Sequence, residues 1–245
     1  MIRAALFDLD DTLVDHHHAA LAAMAGVRDR FPVFQAAGLD VLAGEHQRVL
    51  EQLHHEVAVG ARSAADARIE RYRQLLAFVG AGPHLAPAAA ELHRRLYQSN
   101  RRAVDGALEL VVHLRGWLRI AVVTNNTIVE QTAKLAAFGF AAHVDVLVTS
   151  EEIGAAKPDP RIFRAALERL GCEPCEAVMI GDSWQADVVG ATGAGIRALW
   201  LNRHGAPHPD PAVAMQLRSL APAAQVAALV APDHALLAGD DALPT

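Results

Sequence analysis

The segment AALFDLDDTLVD, residues 4–15, decides how the chain is read. Its first half is an apolar run of β-favouring residues, so Ile2 to Leu9 is expected to form a buried parallel strand. Asp8 nevertheless falls inside that strand, with Asp10 and Asp11 at its end and Asp15 close behind. A buried carboxylate without a partner is costly. Either these residues form a solvated loop, in which Asp11 or Thr12 starts a turn or caps a helix, or they serve a chemistry that the rest of the chain must complete.

At 245 residues and 52% hydrophobic, the chain can bury the core of one large domain, or of a domain carrying an insertion. Apolar runs such as AALFDL and IAVVT fall far short of the roughly 18–20 residues of a membrane span. The N-terminus has no basic segment followed by an apolar stretch and a cleavage site. The expectation is a soluble cytoplasmic protein with no membrane partner. A formal net charge of −6, with Lys and Arg scattered and no basic stripe with interleaved aromatics, argues against a nucleic-acid partner. Cys172 and Cys175, in CEPC, fall between a helix and a strand and are read as loop residues, since a closed zinc site would need ligands from elsewhere. Among 22 basic residues only Lys134 and Lys157 are lysines. Arginine is the default cation here, so a lysine carries information.

From about residue 106 the pattern alternates. GALELVVHLRG reads as a helix, LRIAVVT as a strand ending at Thr124, and IVEQTAKLAAFG as a helix closed by Gly139. VDVLVTS is the next strand, DPRIFRAALERLG a helix starting near Asp159, and AVMIG a strand ending at Gly181. A short helix from Ser183 to about Ala191 and a last strand, IRALWL, complete the series. Such alternation implies an α/β fold with a central parallel sheet between helical layers. Residues 16–103 carry almost no strand signal and read as four amphipathic helices, HHAALAAMAGVRDRF, VLAGEHQRVLEQLHHEV, SAADARIERYRQLLAFV and APAAAELHRRLYQSN. Ser63 with Asp66 resembles a capping box at the start of the third. The expected organisation is a core of residues 1–15 and 104–245 with an all-helical insertion at 16–103. The tail after about Val230 has a weak pattern and is expected to be loosely held.

Ligands of open parallel sheets bind beyond the carboxyl ends of the strands. Those ends deliver Asp8 and Asp10, then Thr124 with Asn125 and Asn126, then Asp182 and Asp187, while the loop GAAKPDP offers Lys157. Converging carboxylates repel one another and would protonate in part. A hard divalent cation removes the conflict, and Mg2+ takes oxygen ligands, needs only one or two carboxylates and is commonly shared with a phosphate. Lys157 adds a compact ammonium, and Thr124 becomes a candidate hydrogen-bond donor to a phosphate.

The four segments DLDDTLVD, VVTNN, KPDP and GDSWQAD, in this order and on these elements, resemble the four motifs of the haloacid dehalogenase-like (HAD) hydrolase superfamily, and the likeness spans nearly the whole chain. The helical insertion resembles the C1-type cap, and VVTNN and GDSWQAD are similar to the nucleotidase-like and acylneuraminate-phosphatase-like branch. The resemblance implies a Mg2+-dependent phosphatase acting on a small phosphomonoester, of nucleoside or sugar phosphate type. Asp8 would be the nucleophile that forms an aspartyl-phosphate, and Asp10 the group that protonates the leaving oxygen and then deprotonates water. Mg2+ would be held by Asp8, the backbone carbonyl of Asp10 and Asp182. Thr124 and Lys157 would grip the transferring group, with Asn125 and Asn126 beside them at the substrate. Asp187 either orients Lys157 or the metal waters, or plays a structural part in its helix.

Three other functions compete. A haloacid dehalogenase also uses an aspartate nucleophile, but expelling halide needs no proton donor, and Asp10 stands where one would act. A phosphomutase would share the chemistry and differ in how water is controlled. A non-catalytic binding protein would be favoured by loss of Asp8, Asp10, Lys157 or Asp182, all of which are present. Asp11 and Thr12 are read mainly as turn residues. The run His16, His17 and His18 is read as exposed or helix-capping, because consecutive helical residues point to different sides. Arg48, Arg68, Arg71 and Arg94 are candidates for a ligand contact within the helical insertion, each also accountable as a solvated helix residue.

Overall fold

The computed structural model describes residues 1–58 and 61–234. The chain divides into two compact units, one of Met1–Val14 with the chain from Ala103 onward, the other Asp15–Arg102. The division lies one residue before each boundary expected from the sequence.

The first unit is built on a six-stranded sheet of β1 (Ala4–Phe7), β2 (Arg119–Thr124), β3 (Val146–Thr149), β4 (Ala177–Gly181), β5 (Arg197–Leu201) and β6 (Met215–Leu217). Every pair is parallel, in the order β3-β2-β1-β4-β5-β6. IRALWL is therefore not the last strand, because three residues of β6 pair with β5 at the sheet edge. The strand around Asp8 is also shorter than expected, ending at Phe7. Alternation of side chains across β1 explains why it is apolar throughout. Ala5 and Phe7 join one core with Leu110, Leu114 and Val226, while Ala4 and Leu6 join another with Ile162, Phe163 and Leu170. Phe7 stands level with Val122 on one side and Ile180 on the other. Within two residues of these three positions the strands end along one edge, and Asp8, Thr124 and Asp182 are gathered there.

In the second unit four helices follow one another, α1 (His16–Arg30), α2 (Leu39–Ala58), α3 (Ala64–Phe78) and α4 (Ala86–Ser99). Asp15 caps α1 by accepting from the His18 amide, and Ser63 caps α3 by accepting from the Asp66 amide. Asp15 also receives a two-pronged hydrogen bond from Arg102, at 2.9 and 2.7 Å, tying the two ends of the unit together. Met24, Val27, Phe34, Leu42, Tyr72 and Leu75 form its core. Of the candidate arginines, Arg48 and Arg94 spend their guanidinium groups on Glu45 and Glu91 one turn away. Arg71 Nη1 lies 3.3 Å from His46 Nε2. The His46 and His93 rings are 4.5 Å apart, with Tyr72 beside both.

Burial holds His93 down at about 3, aided by the charges of Arg71 and His16. Burial likewise holds His46 well below its usual value, with His93, Arg71 and His16 acting in the same direction. A histidine whose pKa is depressed by folding stabilises the protein above its unfolded value and loses that contribution as pH falls below it. The stability these two histidines contribute is therefore expected to shrink from about pH 6.5 downward, at up to about 1.4 kcal/mol per pH unit for each histidine. Urea midpoints at pH 7.5 and 5.5 check this. Relative to His93→Leu, which keeps His46, the wild type should lose about 1.4 kcal/mol more over that interval, and parallel changes in the two proteins would reject the assignment.

The first unit carries the helices α5 (Ala107–Arg115), α6 (Ile128–Ala137), α7 (Ser150–Ile153), α8 (Pro160–Leu170), α9 (Gly190–Gly193) and α10 (Ala223–Val230) among its described residues, with a π-helical stretch over Trp184–Val189. The expected single short helix from Ser183 is thus a π turn continued by α9. Cys172 and Cys175 are free thiols beside a short 3-10 turn. Most of the tail expected to be loose lies outside the described residues. No helix among the described residues is long and apolar enough to cross a membrane.

Candidate active site

Asp8 is the first residue beyond β1, and its amide still donates to the Ile180 carbonyl at 3.0 Å, so its backbone is held by the sheet. The side chain is buried. Lys157 Nζ meets it with a 2.6 Å bond to Oδ1, and the same ammonium donates to Asp187 Oδ1 and to the Val123 carbonyl, both at 2.7 Å. Three donors meet three acceptors, which is the full capacity of a lysine. The loop carrying Lys157 is itself braced. Asn125 Oδ1 accepts from the Lys157 amide at 2.7 Å while Asn125 Nδ2 donates to the Lys157 carbonyl at 2.9 Å. Asn125, expected at the substrate, therefore spends both ends of its carboxamide on the Lys157 main chain. Asn126 Oδ1 accepts from the Thr127 amide at the entry to α6.

Asp187 Oδ2 accepts from the Ser183 amide at 2.9 Å, so both its oxygens are engaged. The π turn that carries Asp187 is capped by Ser183, whose side chain accepts from the Ala186 amide, and π turns occur often at functional sites. Asp187 also explains the glycine before Asp182. A Cβ at Gly181 would overlap the Asp187 carboxyl group, so Gly181→Ala is expected to push Asp187 away from Lys157. Asp182 is fixed twice, through Thr12 Oγ1, which donates to Oδ1 at 3.3 Å, and through Trp200 Nε1, which donates to its carbonyl at 2.7 Å. Thr12 thus does more than turn the chain. Asp11 does turn it, at a left-handed φ of 63° that aspartate tolerates better than most residues.

Asp10 points to a different partner. Lys134 Nζ, on α6, donates to its two carboxylate oxygens at 2.7 and 2.9 Å, and Gln131 Nε2 donates to Oδ2 at 3.0 Å. The Gln131 amide also reaches Thr124 Oγ1 at 2.6 Å. Reading the sequence for function missed Lys134 and Gln131. The signal was present for Lys134, since the scarcity of lysine that singled out Lys157 applied equally to it.

Burial raises the Asp8 carboxyl to about 7, against the opposing pull of Lys157 and with the help of Asp187 and Asp10. Burial also lifts Asp182 well above the carboxylate range, reinforced by Asp8 and Asp187. Burial opposes the Lys157 charge, but Asp187 and Asp8 outweigh it and raise its pKa. Oxygens of Asp8, Asp182 and Asp187 lie within 4.8 Å of one another. Three carboxylates face one ammonium, an excess of negative charge that a divalent cation would relieve. The donor set fits such an ion. Among the described residues, Asp8 and Asp182 each keep one oxygen that accepts no hydrogen bond, whereas Asp187 keeps none. Two carboxylate oxygens with the remaining positions open to water and phosphate is the arrangement Mg2+ favours.

The fold and this edge of carboxylates define a class, and the chain belongs to it. Residues 2–195 match the haloacid dehalogenase-like hydrolase family, so the protein is a member of that family. It is similar to the glyceraldehyde 3-phosphate phosphatase of Methanothermobacter thermautotrophicus, 30% identical over 82% of this chain and 86% of the relative. It is also similar to the N-acylneuraminate-9-phosphatase of mouse, 26% identical over 83% of this chain and 84% of the relative. Among solved structures, a magnesium-bound HAD hydrolase of Bacillus subtilis matches with a TM-score of 0.73 at 23% identity, covering 92% of this chain and 98% of that one. A dehalogenase captured with an intermediate matches with the same TM-score of 0.73 at 22% identity, covering 94% and 97%. The shared fold therefore does not separate phosphatases from dehalogenases, and the side chains must.

Proposed function

We propose that the protein is a Mg2+-dependent phosphatase that hydrolyses a small phosphomonoester, of sugar phosphate or nucleoside phosphate type, through an aspartyl-phosphate on Asp8. The observation that carries this reading is the pair of carboxylates two residues apart, each gripped by its own lysine, Asp8 by Lys157 and Asp10 by Lys134. A dehalogenase has no use for the second. Asp8 Oδ forms a bond to phosphorus as the ester P–O bond breaks, and Asp10 gives its proton to the departing oxygen. Water then forms a P–O bond as the Asp8–phosphorus bond breaks, and its proton passes to Asp10. Asp8, the Asp10 backbone carbonyl and Asp182 would hold Mg2+, which would neutralise charge on the phosphoryl oxygens. Lys157 orients Asp8 and meets the same charge, and Asp187 holds Lys157 in place. Thr124 accepts from Gln131, which leaves its own hydroxyl proton to donate to the transferring group.

The sugar phosphate class is supported by relatives that act, by name, on glyceraldehyde 3-phosphate and N-acylneuraminate 9-phosphate. The unit Asp15–Arg102 is read as the C1-type cap, and the two free thiols fit the reducing cytoplasm. Phosphate release from a panel of sugar phosphates, nucleotides and p-nitrophenyl phosphate, with Mg2+ and with EDTA, tests the reading. Turnover of at least one ester that EDTA abolishes is expected. A folded, Mg2+-loaded protein that releases chloride from 2-chloropropionate and no phosphate from any ester would overturn it.

A further inference from the structure

The only two lysines among 22 basic residues are both buried and both end on the acidic pair after β1. Lys157 is accounted for by Asp8 and Asp187. Lys134 bonds Asp10 but takes no step in the phosphoryl transfer above, yet a lysine 1% exposed has given up its hydration and needs a compensating role. Its ammonium spans both oxygens of Asp10, whose side chain is 26% exposed. Gln131 lies one turn earlier on α6, on the same face. Its amide nitrogen bridges Asp10 Oδ2 and Thr124 Oγ1.

We propose that Lys134 and Gln131 are positioning residues that hold the Asp10 carboxyl group, and through Gln131 the Thr124 hydroxyl, in the orientation needed for proton delivery to the leaving oxygen. The inference rests on the phosphatase reading above. A carboxylate on a loop just past a strand end has two free torsions, and a proton transfer tolerates little error in either. The ammonium removes that freedom, since it stays within hydrogen-bond reach of both oxygens. Helix α6 is anchored by the buried Leu135, so the pair of donors is presented from a rigid element. Gln131 couples proton delivery to phosphoryl binding, because one amide group sets both the Asp10 and the Thr124 side chains.

The leaving group separates this role from a merely structural one. An alkyl phosphate expels an alkoxide that must be protonated as the bond breaks, whereas p-nitrophenyl phosphate expels a phenolate that needs no proton. Lys134→Met is expected to slow the alkyl ester roughly 100-fold or more in single turnover and the aryl ester less than about 10-fold, with KM changed little. Hydrolysis of the aspartyl-phosphate also needs Asp10, so p-nitrophenolate should appear in a burst of one equivalent per enzyme. Gln131→Leu, which keeps Lys134, should show the same asymmetry more weakly and serves if Lys134→Met does not fold. Equal losses on both esters, or no loss in either variant, would overturn the inference while leaving the phosphatase reading intact. Wild type inactive on both esters, and indistinguishable from Asp8→Asn, would overturn both.

Discussion

Asp8→Asn is expected to lower phosphate release by at least about 1,000-fold, to the background of the assay, while the protein stays folded. The carboxamide has nearly the shape of the carboxylate but cannot attack phosphorus to leave an acyl phosphate. Stability should not fall with activity. Lys157 keeps its bonds to Asp187 and the Val123 carbonyl, and the substitution removes a carboxylate that burial already disfavours, as its rise to about 7 records. Without metal, the variant is expected to melt at or above the wild-type temperature. With Mg2+ the order should reverse, because only the wild type keeps both free carboxylate oxygens for the ion and gains the stabilisation that binding confers. Melting curves with Mg2+ and with EDTA, beside phosphate release, check both halves. Residual turnover within tenfold of wild type would rule out Asp8 as nucleophile.

Lys157→Met is expected to damage activity and stability together. Its ammonium is the only cation bonded to either Asp8 or Asp187 among the described residues, and it is 2% exposed. Removing one partner from a buried charged cluster costs about 3–5 kcal/mol, because the charges left behind have lost both their hydration and their counter-ion. Here two carboxylates and a backbone carbonyl lose their donor at once. Mg2+ should restore part of that loss, since it answers the same excess charge. Lys157→Arg should rescue little. A guanidinium presents a planar fork, and the site asks one atom to reach three acceptors in different directions. Urea unfolding with and without Mg2+ measures the effect, and an unfolding free energy in water within about 1 kcal/mol of wild type would contradict the role given to Lys157.

Much of this was legible in the amino-acid order. Apolar runs bounded by glycine and acidic residues identified five of the six strands, and three- and four-residue spacing identified the helices of Asp15–Arg102 within a few residues of their ends, because both periodicities are local properties of a folded backbone. Strand ends carrying Asp8, Thr124 and Asp182 could be grouped in advance, since parallel strands of similar length must finish on one edge. Other features have no local signature. Strand β6 is three residues long at the sheet edge, and it exists because β5 offers it unpaired backbone groups. The π turn after Ser183 follows from two anchors, the Ser183 cap and the Asp187 carboxyl, pulling on one short segment.

The division of labour among polar residues also waited for the tertiary structure. Asn125 and Thr124 are neighbours in a strand end, yet one braces the Lys157 loop and the other faces Gln131. Which carboxylate each lysine serves depends on where α6 and the Lys157 loop lie relative to β1, over separations of 124 and 149 residues. By itself, the sequence determined the elements, the acidic edge and the family of chemistry, because those arise from local patterning and from residue types gathered at strand ends. Only the folded chain decided the hydrogen-bond partners, because a buried charge takes whichever counter-charge the packing brings within about 3 Å.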